Sequence, residues 1–205
     1  MAVVHRDQRL LVADKPAGLL CVPGRGPERA DCLATRVQAA CADALVVHRL
    51  DMGTSGLVVF GRGAAMQRAL SIAFAERRMH KRYEAVVAGL PADEAGEIDL
   101  PLAADWPRRP RQQVSHDLGK PSLTRWQVLS RDAAGGTSRL ALTPVTGRSH
   151  QLRVHLAAIG HPILGDTLYA PPAWAAAAPR LLLHACLLAW DDEAGSHRFS
   201  SPAPY

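Results

Sequence analysis

The sequence predicts one α/β or α+β domain built around a mixed β-sheet. Three observations carry that expectation. Residues 10–13, 56–60 and 83–87 are short apolar or alternating runs with strand character. Residues 64–79 and 149–159 repeat apolar side chains at a helical period. The two kinds of segment interleave along the chain, as in a sheet flanked by helices.

The elements follow in order. The first strand, over residues 10–13, is broken by Lys15-Pro16-Ala17-Gly18, and residues 22–27 form a loop rich in glycine and proline. Asp31 stands where it can N-cap a helix running to about Ala40. Residues 45–47 lead into HRLDMGTSG, His48 to Gly56, and the strand at 56–60 follows at once. In the helix over 64–79, Met66, Leu70, Ala73 and Phe74 mark the apolar face. Arg77, Arg78, His80, Lys81 and Arg82 close it, cations that suit a helix C-terminus. The strand at 83–87 ends at Gly89. Residues 91–113 are expected to be irregular, punctuated by proline and carrying Arg108, Arg109 and Arg111. Strands at 124–129 and 139–143 flank a Gly135-Gly136 turn. The helix over 149–159 aligns Leu152, Leu156 and Ile159 and stops at Gly160. An Ala/Pro-rich connector at 171–179 precedes a buried strand at 181–190, and 198–200 read as an edge strand.

A chain of 205 residues fits one domain, or one domain with a small lobe, and can bury a sizeable core. At 48% hydrophobic and 21% charged it has an ordinary globular composition. The net charge of +5 suits a polyanionic partner, although many small proteins share it. The start, MAVVHRDQRL, lacks the layout of a secretory leader, and LLLHACLLAW is too short to span a bilayer. A cytoplasmic location without a membrane partner is therefore expected. The four cysteines form no C-x-x-C pair, so reduced, buried thiols are expected rather than a zinc or redox site.

Asp51 is the first candidate for chemistry. A carboxylate beside a Gly-Thr-Ser turn can simply cap that turn. Here the strand that follows is apolar, which places Asp51 at the edge of a low-dielectric interior. A carboxylate there needs a cation or it protonates, and Arg49, Arg148 and Arg153 are available. Paired and ionised, it can act as a nucleophile or a general base. In extended chain Arg49 and Asp51 project to one side and Leu50 towards the core.

The stretch TGRSHQLRVH, from Thr146 to His155, runs from a strand through a glycine turn into a helix. Arg148, His150, Arg153 and His155 crowd it, which suits an anion more than a solvated helix face. A metal is disfavoured: His150 and His155 are five apart and no carboxylate is near in sequence. Tyr83, after Lys81 and Arg82, can be plain core or a stacking surface for a base. The Trp106–Arg111 stretch is a rigid basic loop that can be merely solvated or can clamp phosphates.

These residues resemble the RluA family of RNA pseudouridine synthases. HRLDMGTSG is similar to the family's H-R-L-D-x-x-T-S-G signature. DKPAGLLCVPGR, KRYEAVVAG, TGRSHQLRVHLAAIGHPILGDTLYA and RLLLHA follow the family's other motifs in order, over nearly the whole chain. GLLCVPGR, LPLAADWPRRPRQQV and APRLLLHA are closest to its dual-specificity members, which act on 23S ribosomal RNA and tRNA. Ala170 stands where many members have glycine, at a position peripheral to the chemistry.

The resemblance implies the pseudouridine synthase fold, an α+β domain over residues 1–205 with a central, mixed but largely antiparallel sheet, and no N-terminal S4-type RNA-binding domain. It implies an isomerase without cofactor or metal, working as a monomer on structured RNA, with stem-loops of 23S rRNA and tRNA as partners. Asp51 corresponds to the catalytic aspartate, acting on the base, on the ribose, or on departure of the base. Arg153 corresponds to the arginine that pairs with it, and Tyr83 to the tyrosine that stacks on the target base. Arg49 corresponds to the residue that fills the gap left by the flipped uridine. That role is physically sensible, because unstacking costs a few kcal/mol and a planar guanidinium replaces the lost stacking. His48, Arg148, His150, Arg108, Arg109 and Arg111 are expected RNA contacts. Two other classes compete. An RNA-binding or ribosome-assembly protein without catalysis would need only the basic surface. A carboxylate-based hydrolase would need a second acid, for which Asp166 in GDTLY is an isolated candidate.

Overall fold

The computed structural model describes all 205 residues, Met1 to Tyr205. Along the chain run β1 (Ala2–Arg6), β2 (Leu10–Lys15), α1 (Leu33–Ala40), β3 (Ala44–Val46), β4 (Ser55–Arg62) and α2 (Gly63–Ala75). Next come β5 (His80–Ala88), β6 (Ala95–Asp99), β7 (Leu102–Ala104), β8 (Gln112–Val114), β9 (Leu123–Asp132) and β10 (Thr137–Pro144). The last elements are α3 (Gln151–Ala158), α4 (Pro172–Ala176), β11 (Leu183–Asp192) and β12 (Gly195–Ser200). The chain thus has the α+β character expected of it, with largely antiparallel β-sheet and few helices. No helix is long and apolar enough to cross a membrane. The fold divides into two compact units, residues 1–81 with 185–204, and residues 82–184 with 205.

In the first unit β1, β2 and β4 pair antiparallel in that order, β3 also pairs with β4, and β12 pairs with β11. β4 is buried from Ser55 to Gly61, as its unbroken apolar run requires. Its core gathers Leu10, Val12, Leu57, Val59, Leu70, Leu188 and Trp190. Two helix boundaries differ from expectation. Cys32, not Asp31, caps α1: the Thr35 N–H donates to Cys32 Sγ at 3.4 Å and the Cys32 N–H to Thr35 Oγ1 at 3.1 Å. Asp31 lies one residue outside and binds Arg36 through two hydrogen bonds of 2.7 and 2.6 Å. α2 stops at Ala75, because Arg77 takes a left-handed φ of 59° and His80–Arg82 already belong to β5.

In the second unit β5, β10, β9 and β6 pair antiparallel in that order. The expectation of an irregular 91–113 fails here, because the stretch contains β6, β7 and β8. β6 (Ala-Gly-Glu-Ile-Asp) has poor strand propensity and forms because β9 pairs with it. Gly96 is required: a β-carbon there would sit 2.8 Å from the Trp126 indole. α3 begins at Gln151 rather than Ser149, since His150 is left-handed with φ 54°. Gln151 to Leu156 are all buried, so α3 carries its charged side chains into the interior. Leu152 and Leu156 pack with Ala85, Val87, Leu140, Leu142 and Ile163, and Tyr83 lies against this core.

Candidate active site

In the first unit Asp51 sits on the loop between β3 and β4. Its neighbour Leu50 is buried, whereas Arg49 and Met52 are exposed. The loop is fixed by Lys15, the last residue of β2, which is fully buried. Its ammonium donates to the carbonyls of Leu19 at 2.8 Å, Pro16 at 3.0 Å and Met52 at 3.1 Å. The Met52 carbonyl also accepts the Gly18 N–H at 2.9 Å, and the Asp51 carbonyl accepts the Thr54 N–H at 3.2 Å. The chain just after Asp51 is therefore held to the Lys-Pro-Ala-Gly turn, and the Asp51 carbonyl closes a turn with Thr54. Sequence reasoning assigned no role to Lys15. The signal was a lysine ending a buried strand, where an ammonium must find several acceptors. Gly56 closes the motif at φ 115°, where a β-carbon would lie 2.4 Å from the Ala185 carbonyl oxygen. Glycine there lets β4 and β11 approach closely.

His48 belongs to the scaffold of this loop. Its Nε2 accepts the Val59 N–H at 3.1 Å, and its ring stacks on Phe74 with centroids 4.5 Å apart. Desolvation, with the Lys81 charge in support, pushes its pKa down to about 3. The ring is neutral at physiological pH, with Nε2 as the acceptor.

In the second unit Tyr83 is half-buried on β5, opposite Leu142 of β10. Arg153 on α3 is buried and clamped by Asp166, Nε to Oδ2 at 2.8 Å and Nη2 to Oδ1 at 2.7 Å. Asp166 is itself only 1% exposed and also accepts the N–H groups of Leu168 and Tyr169 at 3.0 and 3.2 Å. Asp166 is therefore the carboxylate that sets the Arg153 guanidinium plane. The guanidinium carbon stands 5.0 Å over the Tyr169 ring, and Arg111 stands 5.4 Å over the same ring. The Tyr169 hydroxyl accepts the Gln112 N–H at 2.8 Å and lies 2.6 Å from His150 Nδ1. Arg153 and His150 thus meet Arg111, which is distant in sequence, around one tyrosine.

The other expected contacts spread out. Arg148 is exposed, and its N–H donates to Gln151 Oε1 at 3.0 Å. Gln151 is buried and also binds Thr146, Leu123 and Thr124, which ties the TGRSH turn to β9. His155, read from sequence as one of four residues crowding an anion site, is fully buried between Thr124 Oγ1 at 2.9 Å and the Leu100 carbonyl at 3.0 Å. Burial pushes its pKa down. In the basic loop Arg108 pairs with the buried Asp105 at 2.7 Å, and Arg109 stands 4.6 Å over the Trp106 ring. No three His, Cys, Asp or Glu side chains converge as metal ligands.

Comparison with known proteins agrees with these motifs. The profile of the RNA pseudouridylate synthase family matches residues 9–158. A protein of Escherichia coli O6:H1 described as dual-specificity RNA pseudouridine synthase RluA is 48% identical, over 100% of this chain and 94% of its own. The protein of the same description from Yersinia pestis is 52% identical, over 90% of this chain and 89% of its own. Among solved structures, human RNA pseudouridylate synthase domain containing 1 superposes with a TM-score of 0.85 at 28% identity, covering 100% of this chain and 84% of that one. The chain belongs to the RNA pseudouridylate synthase family, and within it to the RluA type, whose members are isomerases of uridine in RNA.

Proposed function

We propose that this chain isomerises uridine to pseudouridine in stem-loops of both 23S ribosomal RNA and tRNA. The dual specificity in the names of its relatives supports two targets, and the sequence motifs point to these two. In this reading residues 1–205 act as one catalytic domain, a cytoplasmic monomer. The N1–C1′ bond breaks, the base turns, and a C5–C1′ bond forms. The C5 proton leaves to water and N1 gains a proton, so the reaction balances without redox change, cofactor or metal.

Asp51 supplies the carboxylate for this exchange, at the anomeric carbon or on the base. Arg153 is the partner of that carboxylate in the reaction, and Tyr83 stacks on the target base. Arg49 fills the space the uridine leaves, and Arg148 and the 108–111 arginines contact phosphate. His48 and His150 position the loops that carry these contacts. The observation that carries the reading is the fixing of the Asp51 loop by Lys15 and Gly18 at the Met52 carbonyl. A nucleophile needs its attack geometry preset, and this loop provides it. The test is tritium release to water from transcripts labelled at uracil C5, using a tRNA anticodon stem-loop and a 23S rRNA stem-loop. Release from both is expected. Release from one alone removes the dual specificity, and silence on both favours a non-catalytic RNA-binding protein.

A further inference from the structure

The basic loop between β7 and β8 carries an indole that the fold does not use. Trp106 is 66% exposed, an unusual placement for the largest apolar side chain. The loop beneath it is anchored rather than loose. The Asp105 N–H donates to the Arg111 carbonyl at 2.9 Å, and the Arg111 N–H to the Arg108 carbonyl at 3.0 Å. On the far side the Gln112 N–H is held by the Tyr169 hydroxyl, and Arg111 lies over the Tyr169 ring. Tyr169 also lies under Arg153, so the loop and that arginine share one support.

The charges around the indole say what it receives. Between residues 104 and 114 the only acid is Asp105, which is buried and neutralised by Arg108. Arg109 has no carboxylate partner and stands 4.6 Å over the Trp106 ring. An exposed ring beside a free guanidinium matches a partner that is planar, aromatic and anionic. That is the chemistry of an unpaired nucleotide, with the base stacked on the ring and the phosphate on arginine.

We propose that Trp106 is a stacking platform for one unpaired base of the RNA stem-loop, with Arg109 fixing the ring and meeting the adjacent phosphate. The inference rests on the reading of this chain as an enzyme of RNA stem-loops, which it deepens by naming a contact outside the flipped uridine. The experiment compares wild type, Trp106→Ala and Trp106→Phe for affinity to the tRNA anticodon stem-loop and the 23S stem-loop. Tritium release by wild type is measured in parallel. Trp106→Ala is expected to weaken binding about 5- to 100-fold, with Trp106→Phe recovering most of it. The slope of affinity against salt should not change, because stacking releases no counterions, whereas Arg109→Ala should reduce that slope by about one. Replacing unpaired nucleotides one at a time with abasic residues should abolish the Trp106→Ala effect at a single position. Unchanged affinity of Trp106→Ala, an effect surviving every abasic replacement, or wild type that binds neither stem-loop overturns the inference. Wild type that binds but releases no tritium removes the proposed reaction instead, and the affinity comparison still decides the stacking.

Discussion

Asp166 grips Arg153 in a buried two-point clamp, Nε to Oδ2 at 2.8 Å and Nη2 to Oδ1 at 2.7 Å. Thirteen residues separate them, and Asp166 is also held by two backbone N–H groups from its own turn. The clamp fixes the guanidinium plane and uses two of its donors.

Removing one partner of such a pair leaves an uncompensated buried charge, at a cost of about 3–5 kcal/mol. Asp166→Ala should lose stability of that order in urea unfolding. Asp166→Asn, which preserves shape, should lower kcat while RNA affinity stays near wild type. A destabilisation of Asp166→Ala below about 1 kcal/mol, the range of a surface pair, contradicts the clamp.

Lys15 makes a parallel prediction in the first unit. Lys15→Met keeps nearly the length of the side chain and removes the shared donor of the Pro16, Leu19 and Met52 carbonyls, of which Met52 alone keeps a second donor, the Gly18 N–H. Each of the two orphaned carbonyls costs about 1 kcal/mol or more, so a total of about 2 kcal/mol is expected. Because the Met52 carbonyl is next to Asp51, kcat should fall more than KM rises. An unchanged urea midpoint with unchanged kcat would show that the loop holds its shape alone.

His48 gives the fold a signed pH dependence. Its folded pKa of about 3 lies below the unfolded value near 6.5, so the unfolded chain binds the extra proton between those values. The contribution is complete above about pH 6.5 and is lost as pH falls towards 3. His155, also shifted downwards, acts in the same sense. His48→Gln, which can still accept the Val59 N–H, should flatten the fall in urea midpoint between pH 7 and pH 5. Parallel pH profiles for the two proteins contradict this account.

What was legible in the sequence follows where the information is local. β4 was readable because burial on both faces forces a continuous apolar run, and the turn before it because Gly-Thr-Ser breaks the chain just ahead of that run. β6 was not, since Ala-Gly-Glu-Ile-Asp becomes a strand only when β9 lies beside it. The α1 cap moved by one residue because the Cys32–Thr35 exchange satisfies two backbone groups, while Asp31 is drawn off by Arg36. In TGRSHQLRVH the composition announced an anion site, yet the chain sends Arg153 and His155 inwards to Asp166 and Thr124. Their partners lie 13 and 31 residues away, beyond any local pattern. Asp166 was noticed only as a lone acid. A carboxylate after a left-handed Gly165, in a turn whose amides point at it, becomes a clamp only once its distant arginine is known.

The central claim is that Asp51 performs the chemistry. The most direct measurement is tritium release from C5-labelled anticodon stem-loop by Asp51→Asn beside wild type, with stem-loop affinity and urea midpoint measured on both. The account predicts that release is abolished in the variant, while affinity and midpoint stay close to wild type. Near-normal release by Asp51→Asn would contradict it and remove Asp51 from the reaction.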